Sequence, residues 1–230
     1  MNFFNLLSFM AVLTSCTFSS AKTEIINLPK PKTDGKVSVE AAMNGRRSVR
    51  TYANKSLSLS EVSQILWAAY GVTEKINNIP SLRGGLKTAP SAGALYPLEI
   101  YLVAGAVTNL PSGIYKYLSS EHKLKKISKG DKRVALCKAA FGQSMIKNAP
   151  VSLVYSAVFE RTARKYGKRG RERYVYMDLG HSGQNVYLQA FALGLGTCAV
   201  GAFDDNAVKK VIGMPKEEEP LYIMPVGVLK

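Results

Sequence analysis

Pro90-Ser91-Ala92-Gly93-Ala94-Leu95-Tyr96-Pro97 runs straight into Leu98-Glu99-Ile100-Tyr101-Leu102-Val103-Ala104-Gly105, and the fold is read outward from this stretch. Two prolines bracketing small residues bend the chain and withhold amide donors, so another molecule can approach the backbone closely. The β-branched and aromatic run that follows, closed by Gly105, reads as a core strand. A tight, small-residue turn opening onto such a strand can line the site of a flat ligand.

On the N-terminal side, Ser38 caps a short helix, Val-Glu-Ala-Ala-Met-Asn, that stops at Gly45. Arg46, Arg47 and Arg50, with the Ser48 hydroxyl among them, form a donor cluster suited to a phosphate and neighbouring polyol hydroxyls; a solvated basic turn reads equally well. Ser58 or Ser60 caps an amphipathic helix with Val62, Ile65, Leu66 and Ala69 on one face, ended by Gly71 and carrying Trp67 as a packing residue. Thr73 to Lys87 reads as a polar loop.

On the C-terminal side, residues 113–117 and 123–127 read as a hairpin, with His122 exposed in its turn. Asp131 caps a helix through Phe141, and Pro150 opens a buried strand to Val158. The basic run that follows, Arg161, Arg164, Lys165, Lys168, Arg169, Arg171 and Arg173, reads as a solvated, mobile loop. It contains Lys165-Tyr166, a pair able to donate and accept protons beside an electron-deficient ring. Residues 172–193 form the longest helical pattern, apolar on several sides, with Gly180, Ser182 and Gly183 allowing a close crossing and His181 buried. A short strand, Thr197 to Val200, leads to Gly201-Ala202-Phe203-Asp204-Asp205, where an aspartate caps a helix ending near Gly213. Glu217 to Glu219 read as a solvated acidic turn before the last strand, Leu221 to Leu229.

With 230 residues, 47% of them hydrophobic, the chain suits one domain with an arm. Residues 1–15 carry no charge, and the apolar run Phe3–Leu13 is too short to span a bilayer but suits a signal-peptide core. Leu13-Thr14-Ser15-Cys16 resembles a bacterial lipobox. The expected organisation is therefore a signal peptide at 1–15, a tether at 16–36 and a folded domain at 37–230. The protein is expected to be exported, either anchored to a membrane through lipidated Cys16 or periplasmic after ordinary cleavage near Ser20 or Ala21. Cys137, Cys198, His122 and His181 show no metal-ligand spacing, so no metal is expected, and the two cysteines read as buried free thiols, with a disulfide between them the alternative in an exported protein. The net charge of +15 suits an anionic membrane or an anionic cofactor. No platform of stacking aromatics accompanies it, which argues against nucleic acid.

Four separated pieces agree: Arg46-Arg47-Ser48-Val49-Arg50, the Pro90–Glu99 stretch, Gly180-His-Ser-Gly-Gln-Asn-Val-Tyr187 running on to Thr197, and Gly201-Ala-Phe-Asp-Asp205, with Pro225-Val226-Gly227 behind them. In this order they resemble the nitroreductase superfamily and, more narrowly, its SagB-type, thiazole- and oxazole-forming dehydrogenase branch. The resemblance implies an α+β fold, an antiparallel sheet flanked by helices, in an intertwined homodimer with flavin mononucleotide (FMN) at the subunit interface. It implies that Arg46, Ser48 and Arg50, with Arg47 beside them, hold the phosphate and ribityl chain. Pro90, Ser91, Ala92, Gly93 and Leu95 of a partner subunit would pack on the isoalloxazine, and Gly201 and Ala202 would aim backbone amides near N5. Lys165-Tyr166 resembles the Lys-Tyr pair that azoline-oxidising relatives use for proton removal. The activity implied is an FMN-dependent oxidoreductase passing hydride through flavin N5 between a small-molecule donor and an acceptor such as a nitroaromatic or quinone. Because NAD(P)H is scarce outside the cytoplasm, the donor is expected to be another molecule. The alternatives are a heterocycle-oxidising dehydrogenase using Lys165 and Tyr166, or a non-catalytic flavin or tetrapyrrole binder.

Overall fold

The computed structural model describes residues 24–230, so the signal-peptide and lipobox readings, with Cys16, lie outside the described residues. In chain order the first elements are β1 (Ile25–Asn27), α1 (Val39–Gly45), β2 (Leu57–Ser58), α2 (Leu59–Tyr70), β3 (Val72–Ile76), β4 (Gly84–Lys87), β5 (Leu98–Ala104) and β6 (Val107–Thr108). They are followed by β7 (Gly113–Leu118), β8 (Lys123–Lys129), α3 (Arg133–Ala139), α4 (Ser144–Asn148), β9 (Val151–Ala157), α5 (Glu160–Arg169), α6 (Val175–Ala192), β10 (Leu195–Thr197), α7 (Asp205–Ile212) and β11 (Glu219–Val228).

Seven strands make one sheet in the order β1-β8-β7-β5-β9-β11-β10, and every neighbouring pair is antiparallel. The expected α+β class with an antiparallel sheet flanked by helices is what the chain adopts. Strands β5 and β9 sit at its centre, and all seven residues of each are buried. Their side chains alternate between two cores because successive strand residues point to opposite faces. Ile100, Leu102, Leu153 and Tyr155 pack in the layer that holds Ile65, Leu66, Leu179 and Val186 of α2 and α6. Tyr101, Val103 and Val154 pack in the layer that holds Leu136, Ile146, Val208 and Ile212 of α3, α4 and α7. Burying each large aliphatic side chain contributes about 1.5–3 kcal/mol, an upper figure because unfolded chains already hide part of that surface.

The helix ends follow the local chemistry. Ser38 accepts from the Ala41 amide, Asp204 accepts from the Ala207 amide, and Ser58 with Glu61 forms a reciprocal capping box.

Several readings change on folding. Thr73 to Lys87 is a hairpin, β3 against β4, rather than a polar loop. Gly85 allows it: at φ 137° its bare α-carbon lies where a side chain would strike the Glu74 carbonyl. The basic run is helix α5, broken at Gly167 and joined by a π-type turn, Gly170–Tyr174, to α6. Arg, Lys and Glu are good helix formers, and Thr162 faces inward fully buried. The short strand ends at Thr197, and α3 starts at Arg133, with Lys132 rather than Asp131 in the cap position. Ile25–Asn27, within the stretch read as a tether, pairs with β8.

Three titratable side chains are also placed differently from expectation. Glu218 is only 2% exposed instead of solvated, accepting from Tyr101 Oη, Ser156 Oγ and Lys116 Nζ at 3.0, 2.6 and 2.6 Å. His181 is exposed rather than buried. His122 is half-buried rather than exposed, between Ser63 Oγ at 2.7 Å and Tyr117 Oη at 2.8 Å. Cys137 and Cys198 are buried free thiols, as expected.

Candidate active site

The site is built along α6, whose two ends carry its two halves. At the C-terminal end, Gly45 of α1 lies against the Phe191 ring, so close that a side chain there would run into it. The chain then pairs with β10: Ser48 bridges Thr197, and the Val49 amide donates to the Thr197 carbonyl at 2.9 Å. This holds the arginine segment as a short extension of the sheet edge.

Tyr187 of α6 ties these pieces together. Its hydroxyl accepts from the Ala199 amide at 2.7 Å and lies 3.4 Å from Ser48 Oγ, while the Arg46 guanidinium sits 5.2 Å over its ring. Ser48 and Arg50 are exposed and Arg46 is partly so. Arg47 differs, because its guanidinium folds back onto the Asn44 and Arg46 carbonyls at 2.9 and 2.8 Å and closes the end of α1. Gly201 and Ala202 are exposed two residues beyond Ala199, and the Ala202 carbonyl is fixed by Gln143 Nε2 at 2.8 Å.

At the other end of α6 stands the Pro90–Pro97 turn. Gly93, Ala94 and Tyr96 all have left-handed backbones, with φ of 62°, 53° and 47°. For the two non-glycine residues this costs on the order of 1–2 kcal/mol each, so the turn needs outside support. Asp178, 2% exposed, supplies it by accepting from Ser91 Oγ at 2.5 Å and the Ala92 amide at 3.2 Å. Ser91 Oγ in turn accepts from the Tyr96 amide at 2.9 Å. Burial raises the Asp178 carboxyl above its ordinary pKa, against the pull of the Ser91 and Ala92 donors and of His181.

Lys165 and Tyr166 reach the same turn. A β-carbon on Gly93 would lie 2.6 Å from Tyr166 Oη and 3.1 Å from Lys165 Nζ. The space beside this glycine is therefore filled by the Lys-Tyr pair of its own chain. Tyr166 is steadied by Tyr174, whose ring meets it edge-on with centroids 5.1 Å apart.

Behind the turn lies a buried charge network. Glu99 receives Arg161, Arg83 and Lys116 at 2.6, 2.7 and 3.2 Å. Burial alone would raise its pKa, but those three cations outweigh burial and hold it low. Lys87 lies between the Tyr70 and Tyr96 rings, 5.3 and 5.1 Å from their centroids, and donates to Ser119 Oγ at 2.9 Å. Burial, then the Arg83 charge, pushes its ammonium down to about 8.

The two halves do not meet within one chain. Asp178 and Tyr187 are nine residues apart, which is roughly 13 Å along a helix. Arg46 and Ser48 meet Tyr187 towards one end, Gly201 lies against Tyr222, and Ser91 and Ala92 meet Asp178 towards the other end, where Gly93 adjoins Lys165 and Tyr166.

A sequence profile of the Nitroreductase family matches residues 43–228. The chain belongs to the nitroreductase family. It is 46% identical over 191 residues to MJ1384 of Methanocaldococcus jannaschii, a candidate nitroreductase by name, covering 83% of this chain and 91% of that one. It is 30% identical over 144 residues to the microcin B17-processing protein McbC of Escherichia coli, covering 60% of this chain. It spans about half the length of that relative, 53%. A crystal structure of a candidate nitroreductase from Ralstonia eutropha superposes with a TM-score of 0.74 at 28% identity, covering 90% of each chain. Nitroreductase-family proteins are oxidoreductases that generally use a flavin.

Within this nitroreductase-family site, Asp178 and Tyr187 are the supports that sequence reasoning missed. Tyr187 stood in the quoted Gly180–Thr197 stretch. Its spacing from Asp178 puts the two on different faces of α6, and nothing local says what either face meets.

Proposed function

We propose that this protein is an FMN-dependent oxidoreductase acting as a homodimer. The observation that carries it is the pairing on one helix of an exposed Arg46–Ser48–Arg50 donor set with a turn of small residues backed by a Lys-Tyr pair. The donor set fits a phosphate: the Arg46 guanidinium and the Ser48 hydroxyl meet at Tyr187, Arg50 is exposed two residues on, and no carboxylate takes part in their hydrogen bonds among the described residues. Arg46, Ser48 and Arg50 would bind the phosphate and ribityl chain, with Arg47 holding the segment's shape rather than the ligand. The exposed Gly201 and Ala202 backbone would orient the ring, and Pro90, Ser91, Ala92 and Leu95 would cover it. When bound, the flavin supplies hydride transfer between a donor and an acceptor such as a nitroaromatic or quinone. Since the two halves lie at opposite ends of α6, a complete site joins the arginine end of one protomer to the turn of its partner.

Lys165 Nζ and Tyr166 Oη would then hold or move a proton beside the turn, as a SagB-like dehydrogenase oxidising a heterocycle requires. Their convergence on Gly93 favours this second reading over a non-catalytic binder. Export with lipidation at Cys16 belongs to the same proposal. Among the described residues no helix is long and apolar enough to cross a membrane.

The test is an absorbance spectrum of the purified protein, with mass spectrometry of whatever heat releases and the mass of the native particle. A yellow dimer releasing FMN is expected. A colourless protein that FMN cannot reconstitute, or a strict monomer, refutes the reading. Acyl labelling that Cys16→Ser fails to abolish refutes the anchor.

A further inference from the structure

We propose that Asp178 is a positioning residue that holds the Pro90–Pro97 turn in register with Lys165 and Tyr166. The inference rests on the reading of Lys165 and Tyr166 as a proton-transfer pair, and adds what sets their geometry. Three left-handed residues within four positions give the turn little intrinsic reason to keep its shape. Its internal hydrogen bonds are few: the Ala94 amide to the Ser91 carbonyl at 2.9 Å, the Leu95 amide to the Ala92 carbonyl at 3.4 Å, and the Tyr96 amide to Ser91 Oγ.

The Asp178 carboxylate accepts from two consecutive residues of the turn, one oxygen to each. Ser91 Oγ is thereby fixed as a relay, donating to Asp178 while accepting from the Tyr96 amide. Little more than one helical turn separates the two braces. Tyr174, the residue before α6, braces Tyr166, and Asp178, four residues on, braces the turn that Tyr166 touches. The carboxylate itself meets neither Lys165 nor Tyr166 in a hydrogen bond, so its effect passes through the turn.

The experiment uses the full chain loaded with FMN, photoreduced and then reoxidised by two acceptors. Ferricyanide takes single electrons and no proton. A soluble benzoquinone takes a hydride and one proton to become the hydroquinone, so a proton held by Lys165 or Tyr166 can speed its reduction, whereas with ferricyanide the flavin's own protons leave to solvent. Asp178→Asn leaves one acceptor oxygen where two are needed. It is expected to slow the quinone reaction by about tenfold or more and to leave the ferricyanide reaction within about twofold, since small misplacement penalises positioned chemistry steeply.

Hydrogen exchange on the flavin-free chain gives an independent readout. In the variant, the amides of Ala92 and of Ala94 to Tyr96 should exchange about tenfold faster or more, while Ala199, held by Tyr187, keeps its protection. Ser91→Ala removes the same bond from the turn side and decides the question if Asp178→Asn fails to fold. Parallel changes with both acceptors, or unchanged exchange at the turn, overturn the positioning role while leaving the flavin reading intact. A wild-type protein that binds no flavin overturns both.

Discussion

Lys87 offers a quantitative test of the network behind the turn. Its side chain is almost wholly enclosed, 8% exposed, yet it carries a titratable ammonium whose pKa falls from an ordinary 10.5 to about 8. For a base depressed in this way the folded state prefers the neutral form. Below pH 8 both folded and unfolded chains hold the proton, and the full cost of burying the charge is present. Between 8 and 10.5 the unfolded chain keeps the proton and the folded chain releases it, so stability rises with pH. At about 1.4 kcal/mol per pH unit, the cost is roughly 3 kcal/mol at pH 7, of which about 2.5 kcal/mol is relieved by pH 10. Lys87→Met removes the titration. It also loses the Ser119 bond, worth about 1 kcal/mol, and the two ring contacts, of similar size. The Ser119 bond outlasts deprotonation, while the ring contacts need the charged form and are already contained in the depressed pKa, so the pH-dependent difference between wild type and variant is the Lys87 titration alone. Urea denaturation of wild type and variant at pH 7, 8, 9 and 10 isolates it. The wild-type midpoint should gain roughly 1 M on the variant's across that range, for an m value of about 2 kcal/mol/M. Parallel curves would show that Lys87 is not held at a depressed pKa.

Other residues give equally direct checks. Glu99→Gln leaves Arg83, Lys116 and Arg161 facing one another without their shared anion, and should cost about 3–5 kcal/mol in denaturant unfolding. Gly93→Ala must displace Tyr166 Oη by roughly 1 Å to clear a contact of 2.6 Å. It should lower stability by only about 1–2 kcal/mol yet slow quinone reoxidation of the flavin far more than ferricyanide reoxidation. His122, pulled below its ordinary pKa by burial, favours the folded state only while neutral, and that contribution is lost as pH falls below the unfolded value near 6.5. Since His122 Nε2 lies 3.0 Å from the Pro29 carbonyl, limited proteolysis around residues 24–36 should quicken in acid, and His122→Gln should flatten that pH dependence.

Much of the fold was legible because its signals are local. Ser38, Ser58 and Asp204 mark helix starts by chemistry acting within three residues, and Leu98–Ala104 and Val151–Ala157 announce themselves by largely apolar runs interrupted only by Glu99, Ser152 and Ser156. The site residues Arg46, Ser48, Arg50, Lys165 and Tyr166 were likewise visible as types in sequence. The charged segments were not. Glu160–Arg169 looked like a solvated loop because its charges mask a strong helix propensity, and Glu218 looked solvated because its partners Tyr101, Lys116 and Ser156 lie on other strands.

The sequence by itself determined the capped helices, the central strands, the family and the kinds of group available for binding phosphate and moving protons. Only the tertiary structure decided that Asp178 holds Ser91, that Tyr187 joins Ser48 to Ala199, and that Gly93 yields its space to Tyr166. The reason is physical: propensities and caps act over a few residues of chain. What a buried carboxylate or hydroxyl pairs with depends on which distant strand or helix the sheet order brings beside it.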